Sequence, residues 1–276
     1  HVLIGVLGGY LLYQKGLAVD AGTAASYGAA GATIGTGVGA LTALLFVGFV
    51  YLLYRKTFLK RCLKDSYPTE PAGETLRLVF LTALPILISA TMANISNLID
   101  QSIFGHYMGT ERMDEYESLW GIFNAKYLLL TNLPIAIASA MSASTLPSVS
   151  AAIARGNLEE AREKAGKAIR VISLIAMPAS VGLMLLGKPC FDLLFRGTSN
   201  DIAARMMLFG AFAVLTFSLS TVCVGIMQGC GHYWEPIKNY LFALAVHIPF
   251  LLLGLYVFRW GVYAVVVCYV LYALAC

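Results

Sequence analysis

Charge is what this sequence has least of. Of 276 residues, 19 are Lys or Arg and 15 are Asp or Glu, together 12%, about half the share of a soluble domain. Set against 59% hydrophobic residues and a mean hydropathy of +0.75, this scarcity excludes a solvated globule and predicts an all-α polytopic membrane protein. The net charge is only +4 and no basic cluster interleaves with aromatics, so nucleic acid is not a partner. The six cysteines (Cys62, Cys190, Cys223, Cys230, Cys268 and Cys276) include no C-x-x-C pair and read as small buried hydrophobes. Cys230-Gly231-His232 is too sparse for zinc, so neither a metal nor another cofactor is expected. No nucleophile, base and acid can be assembled at one depth, which argues against an enzyme. No signal-peptide pattern is present, and residues 1–13 read as part of a truncated span. The chain starts at His1 and stops at Cys276 inside an apolar run, so we expect a fragment of a longer protein.

What is abundant is apolar sequence in runs of about 20 residues, the length that crosses a bilayer. Eight spans are expected: 1–13, 27–54, 78–107, 119–149, 168–186, 206–228, 239–258 and 261–276. Twelve Lys and Arg residues fall in the connections at 55–77, 150–170 and Lys238, against six on the opposite side. Basic residues accumulate on the cytoplasmic side, so loops 55–77 and 150–170 are expected in the cytoplasm and 109–117 outside. Trp120, Trp234 and Trp260 fall at expected span ends, as an aromatic belt requires.

Several stretches have purely architectural readings. Gly31-x-x-x-Gly35-x-x-x-Gly39 allows close helix approach. Pro85, Pro134, Pro178 and Pro249 predict bends within spans. In 150–170, Gly156 closes one helix and Asn157 with Glu160 forms a capping box for the next. Glu160–Lys164 and Glu163–Lys167 pair along its solvated face. The basic connection 55–77, with Pro68 and Pro71, is the best internal boundary. A weak repeat relates 260–275 to 27–43 and makes the first two spans the end of one lobe.

The candidate site lies on the helical hairpin 78–147. Asn94, Asn97 and Gln101 share one face of its first arm, with Asp100 beside them. The second arm carries Lys126. A charge at the centre of a membrane helix costs roughly 2.5–3.5 kcal/mol on insertion scales, so such residues need a partner, water or a way out. Counted from His106 and Trp120, Asp100 and Lys126 both lie about 9 Å below the outer boundary. On antiparallel neighbours that depth permits a charge station made by the two. The alternatives are a snorkelling Lys126 and a structural ion pair at Asp100. Asn94, Asn97 and Gln101 either line a cavity or bond helix to helix. His247 is either a packed neutral imidazole or a proton relay.

Five stretches together carry a family likeness: "GAAGATIGTGVGALTALLF", "LPILISATMANISNLIDQSIFG", "LWGIFNAKYLLLTNLP", the run from Leu146 to Pro189, and "GIMQGCGHYWEPIKN". They resemble the stage V sporulation protein B-like polysaccharide transporters. That family belongs to the multidrug/oligosaccharidyl-lipid/polysaccharide exporter superfamily, which also holds the lipid II flippase. The resemblance implies two six-helix lobes around a cavity that opens alternately to each side. Residues 1–54 would be the last two helices of the first lobe, 55–77 the cytoplasmic inter-lobe loop, and 78–276 the second lobe. The implied function is a plasma-membrane flippase moving a polyprenyl-diphosphate-linked sugar, or another amphiphile, outward. Its partners would be that cargo, membrane lipids and the absent first lobe. The alternatives are a cation-coupled multidrug exporter of the same superfamily and, more remotely, a non-transporting membrane scaffold.

Overall fold

A computed structural model describes residues 2–19, 23–62 and 71–276. Every regular element among them is a helix, and the all-α expectation holds. The helices are α1 (Val2–Val19), α2 (Ala24–Cys62), α3 (Ala72–Met108), α4 (Met113–Ile122), α5 (Leu128–Ala154), α6 (Leu158–Leu194), α7 (Asp201–Gly210), α8 (Phe212–Gly229), α9 (Glu235–Leu252) and α10 (Val262–Ala275). The middle of the expected boundary loop, with Lys64 and Pro68, lies outside the described residues. The chain divides into two compact units, His1–Pro71 and Ala72–Cys276.

In the first unit α1 and α2 form an antiparallel hairpin. The expected role of the glycine row is met: a Cβ on Gly31 would collide with the Gly8 carbonyl, and one on Gly9 would come within 3.3 Å of the Gly28 carbonyl. Two backbones meet there because neither helix carries a side chain at the crossing.

The second unit holds the candidate site. Its helices depart from the expected spans in informative ways. Among the described residues six helices are long and apolar enough to cross a membrane, and Val262–Ala275 is apolar but shorter. The expected span 119–149 is one arm of a continuous helical run, Thr110–Ala154. Within it a π-helical turn, Phe123–Tyr127, joins α4 to α5 and shifts the helix phase. The expected span 206–228 is instead broken between α7 and α8. Tyr127 Oη donates to the Gly210 carbonyl at 2.9 Å and Ser180 Oγ to the Ala211 carbonyl at 2.9 Å. These side chains bind carbonyls at the point where the helix breaks. Gly156, at φ 74°, ends α5, and Asn157 Oδ1 accepts the Glu160 N–H at 3.1 Å to open α6, as the capping box predicts.

The core of this unit is aromatic. Phe104, Phe123, Tyr127, Phe191 and Tyr269 pack with Met206, Met207, Leu251 and Leu255. Trp120 joins it, 6.3 Å from Phe104 and 5.3 Å from Phe123 between ring centroids, rather than standing only as a belt residue. Lipid is as apolar as these side chains, so they gain from close packing and not from leaving water. The same rule explains α5 against α8. Thr221, Gly225 and Gly229 recur every four residues on α8, and Ser142 Oγ of α5 donates to the Thr221 carbonyl at 3.0 Å.

A Cβ on Gly225 would strike Ser142 Oγ, whereas one on Gly182 of α6 meets nothing within 4 Å. Overpacking costs about 1–3 kcal/mol. Gly225→Leu is therefore expected to lower the thermal midpoint of the purified protein in detergent by several degrees, and Gly182→Leu to leave it within error. Equal midpoints would refute the close α5–α8 crossing.

Candidate functional site

A stripe of buried residues runs down α3 at helical spacing: Pro85, Ser89, Ser96, Asp100, Phe104 and Met108. Asp100 belongs to this stripe. It does not share the face of Asn94 and Gln101, which are exposed about 120° away at 3.6 residues per turn. Asn97 stands between the two faces, half-buried.

The partner of Asp100 is His247 of α9. Nε2 of His247 lies 2.5 Å from Asp100 Oδ1, and both side chains are fully buried. Nδ1 lies 3.0 Å from the main-chain oxygen of Cys268 on α10. One imidazole therefore joins α3, α9 and α10. A carbonyl can only accept, so Nδ1 carries a hydrogen. Tyr272 reinforces the joint: its ring stands edge-on to His247 at 5.6 Å, and its hydroxyl donates to the Met92 carbonyl at 2.9 Å. Asp100 Oδ2 and Asn97 Oδ1 are buried without a hydrogen-bond partner among the described residues.

Lys126 lies elsewhere. Its Nζ donates to Asn200 Oδ1 at 2.6 Å, Thr198 Oγ1 at 3.0 Å and the Ser199 carbonyl at 3.2 Å. It also sits 5.4 Å above the Phe195 ring. Asn200 is buried and turns its amide to Asp192 Oδ1 at 2.9 Å and to the Phe195 carbonyl at 3.2 Å. Lys126 thus ties the α6–α7 connection to the π turn. Next to it Lys188 pairs with Asp201 at 2.6 Å, and its ammonium holds the exposed Asp201 carboxyl below the usual carboxylate range.

The expected contact between Asp100 and Lys126 is therefore corrected: no hydrogen bond or ion pair joins them. Equal depth did not fix the direction around the helix. Phe123 and Tyr127, four apart, point into the core, and Lys126 leaves the turn toward residues 198–200. Asn94 is also corrected as a helix-to-helix bond, since its amide donates to Ala90 of its own helix at 2.8 Å. The chain instead brings Asp100 and His247 together, two ionisable candidates whose contact with each other was not expected. Asn200, Asp192 and the Cys268 carbonyl are structural contacts of these candidates that carried no sequence signal.

The fold and these buried polar joints define an all-helical, multi-pass membrane protein. The chain belongs to the lipid II flippase MurJ family, whose family model matches residues 4–276. That family is one of membrane transporters rather than catalysts. Residues of this chain are 24% identical over 237 positions to the uncharacterized membrane protein YabM of Bacillus subtilis, covering 85% of this chain and 42% of that protein. They are 30% identical over 125 positions to a probable lipid II flippase MurJ of Bdellovibrio bacteriovorus, covering 43% of this chain and 24% of that protein. The chain spans less than half the length of these curated relatives. Among solved structures none matches significantly.

Hydrogen bonds to a charged group contribute about 1.5–3 kcal/mol. Asn200→Ala is accordingly expected to speed amide exchange across 195–200 by about tenfold, while exchange around Asp100 stays unchanged. Unaltered exchange in 195–200 would show that Lys126 does not hold this connection.

Proposed function

We propose that this chain is the later part of a two-lobe flippase that moves a polyprenyl-diphosphate-linked sugar outward by alternating access. The observation that carries this reading is the family match across nearly the whole chain. In it 1–54 supplies the last two helices of the first lobe, 55–77 the cytoplasmic connection and 78–276 the second lobe. The multidrug alternative gains nothing from the family match. A scaffold would have no use for polar side chains kept in a span yet left outside its core.

Those side chains are Asn94, Asn97 and Gln101. Asn94 and Gln101 are exposed on α3, and the buried Asn97 oxygen has no partner among the described residues. We assign them to the wall of the cargo cavity, where sugar hydroxyls can exchange hydrogen bonds with amides. Asp100 and Lys126 act as two separate stations: Asp100 inside the lobe with His247, Lys126 at the α6–α7 connection. Lys126 acts on an anionic headgroup through its charge, since its hydrogen bonds are already made within the chain.

Flipping of a lipid-linked sugar by the full-length protein in reconstituted vesicles tests the cavity. Asn94→Leu with Gln101→Leu is expected to slow it at least fivefold with insertion intact. Undiminished flipping by a well-inserted double variant would remove these residues from the cavity wall. Sidedness is tested separately. Glu159→Cys in intact cells should resist a membrane-impermeant thiol reagent, and labelling from outside would invert the topology.

A further inference from the structure

The flank where α6 meets α7 carries a cleft that the flippase reading does not use. A Cβ on Gly187 of α6 would come within 2.8 Å of Met207 Cγ, so the two helices cross closely there. Beside the crossing is a cleft of about 460 Å³, whose walls include Met184, Leu185 and Lys188 of α6 and Asp201, Arg205 and Leu208 of α7. Its two ends differ. Lys188, Asp201 and Arg205 lie toward the 195–200 connection, and Met184, Leu185 and Leu208 lie further along the two helices. On α6 the apolar side continues: Leu174, Met177, Val181 and Leu185 recur every three or four residues and are exposed, while Ile172, Ala176, Ser180 and Gly187 are buried. From Leu174 to Leu185 the helix rises roughly 16 Å, about half of the ~30 Å hydrocarbon core and hence about one leaflet.

The charges at the polar end do not cancel. Lys188 pairs with Asp201 at 2.6 Å. Arg205, one turn further along α7, makes no hydrogen bond or salt bridge among the described residues. The three side chains are exposed and together carry one positive charge. One phosphodiester neutralises it. Arg205 presents a fork of N–H donors to a phosphate, and the Lys188 ammonium has donors beyond the one given to Asp201. A diphosphate would leave surplus negative charge beside the Asp201 carboxylate. Position also separates this cleft from the amides assigned to cargo. Those stand on α3, which packs on α4, α9 and α10, whereas α6 packs on α5, α7 and α8.

We propose that the α6–α7 cleft binds a bilayer phospholipid with one phosphodiester and a single negative charge, of the phosphatidylglycerol kind. The lipid belongs to the leaflet that adjoins the 195–200 connection. Its phosphate bridges Arg205 and Lys188, and one acyl chain lies along the stripe from Leu185 to Leu174. The site is distinct from the cargo cavity and is tested without cargo transport.

The probe is phosphatidylglycerol with a photoactivatable group in one acyl chain, titrated onto the purified full-length protein in detergent. Phosphatidylcholine with the same chain is the control, and labelled peptides are mapped. Wild type is expected to take the phosphatidylglycerol label preferentially within 174–188 and 201–208. Even labelling of every exposed apolar helix by both lipids would show surrounding lipid only and would overturn the site. Arg205→Gln is expected to raise the half-saturating concentration of phosphatidylglycerol about fivefold, the effect of one basic residue on attraction to anionic lipid. Asp201→Asn frees Lys188 and is expected to lower that concentration by a similar factor, whereas a merely structural Lys188–Asp201 pair predicts no gain. Unchanged binding by Arg205→Gln, or unchanged or weaker binding by Asp201→Asn, would overturn the proposal. An excess of a polyprenyl diphosphate is expected to leave the label in place. Its displacement would make the cleft a cargo site and overturn the assignment to a bilayer lipid. If the full-length protein moves no lipid-linked sugar, the flippase reading fails, and the labelling still decides the cleft.

Discussion

A polar group inside a bilayer has no water to turn to, so its partner must come from the protein. This constraint sorts the polar side chains of the spans into two groups. Thr33, Thr42, Thr91, Ser139 and Ser173 each return their hydroxyl to the carbonyl four residues back on their own helix. They are satisfied and join nothing. Ser142, Ser180, Tyr127, Tyr272 and Asp100 reach a different element. These few side chains link α5 to α8, α6 to the α7–α8 break, the π turn to α7, and α3 to α10 and α9. Because lipid offers no hydrophobic drive for helix association, such bonds, worth about 0.6 kcal/mol each, and close backbone crossings do much of the work that burial does in a soluble core.

The joints are not equivalent. Four of them run from a neutral hydroxyl to a main-chain carbonyl, and no pH in the physiological range changes either party. The fifth joins two ionisable groups, Asp100 and His247, both fully buried. It also lies at the seam between α3 and its neighbours, which Tyr272 to Met92 and Tyr116 to Gln101 also cross-link.

Much of this fold was legible in the sequence because the signals were local. Apolar length gave helices, Gly156 and Asn157 gave a break and a cap, and the Gly31 row gave a close crossing. The failures were also physical. The span at 206–228 contains no proline or polar run to announce its break, because the side chains bound to its carbonyls, Tyr127 and Ser180, come from distant sequence. Residue spacing gave the depth of Asp100 and Lys126 but not their azimuth. The π turn at 123–127 altered the phase on which any azimuth would rest. Of the site itself, the sequence named both members of the buried pair, Asp100 and His247, and could not pair them. The third member is a main-chain carbonyl, which no side-chain pattern reveals.

Lys126 shows why a charge in a span is not by itself a binding site. An ammonium has three N–H donors, and the structure supplies three acceptors: Asn200 Oδ1, Thr198 Oγ1 and the Ser199 carbonyl. With the 195–200 connection in place, no donor is left for a phosphate. Its charge still attracts an anion over distance, but a direct bond requires that this connection let go. Asn200 is what makes release costly, since the same amide that accepts from Lys126 is anchored on Asp192 and Phe195. Any direct headgroup contact at Lys126 is therefore tied to movement of the α6–α7 connection. Asp100 is met only in part, since His247 of α9 takes Oδ1 while Oδ2 is buried without a partner among the described residues. At Lys126 the lobe's own structure already meets the needs of the charge, so a direct bond to a partner can begin only where that structure opens.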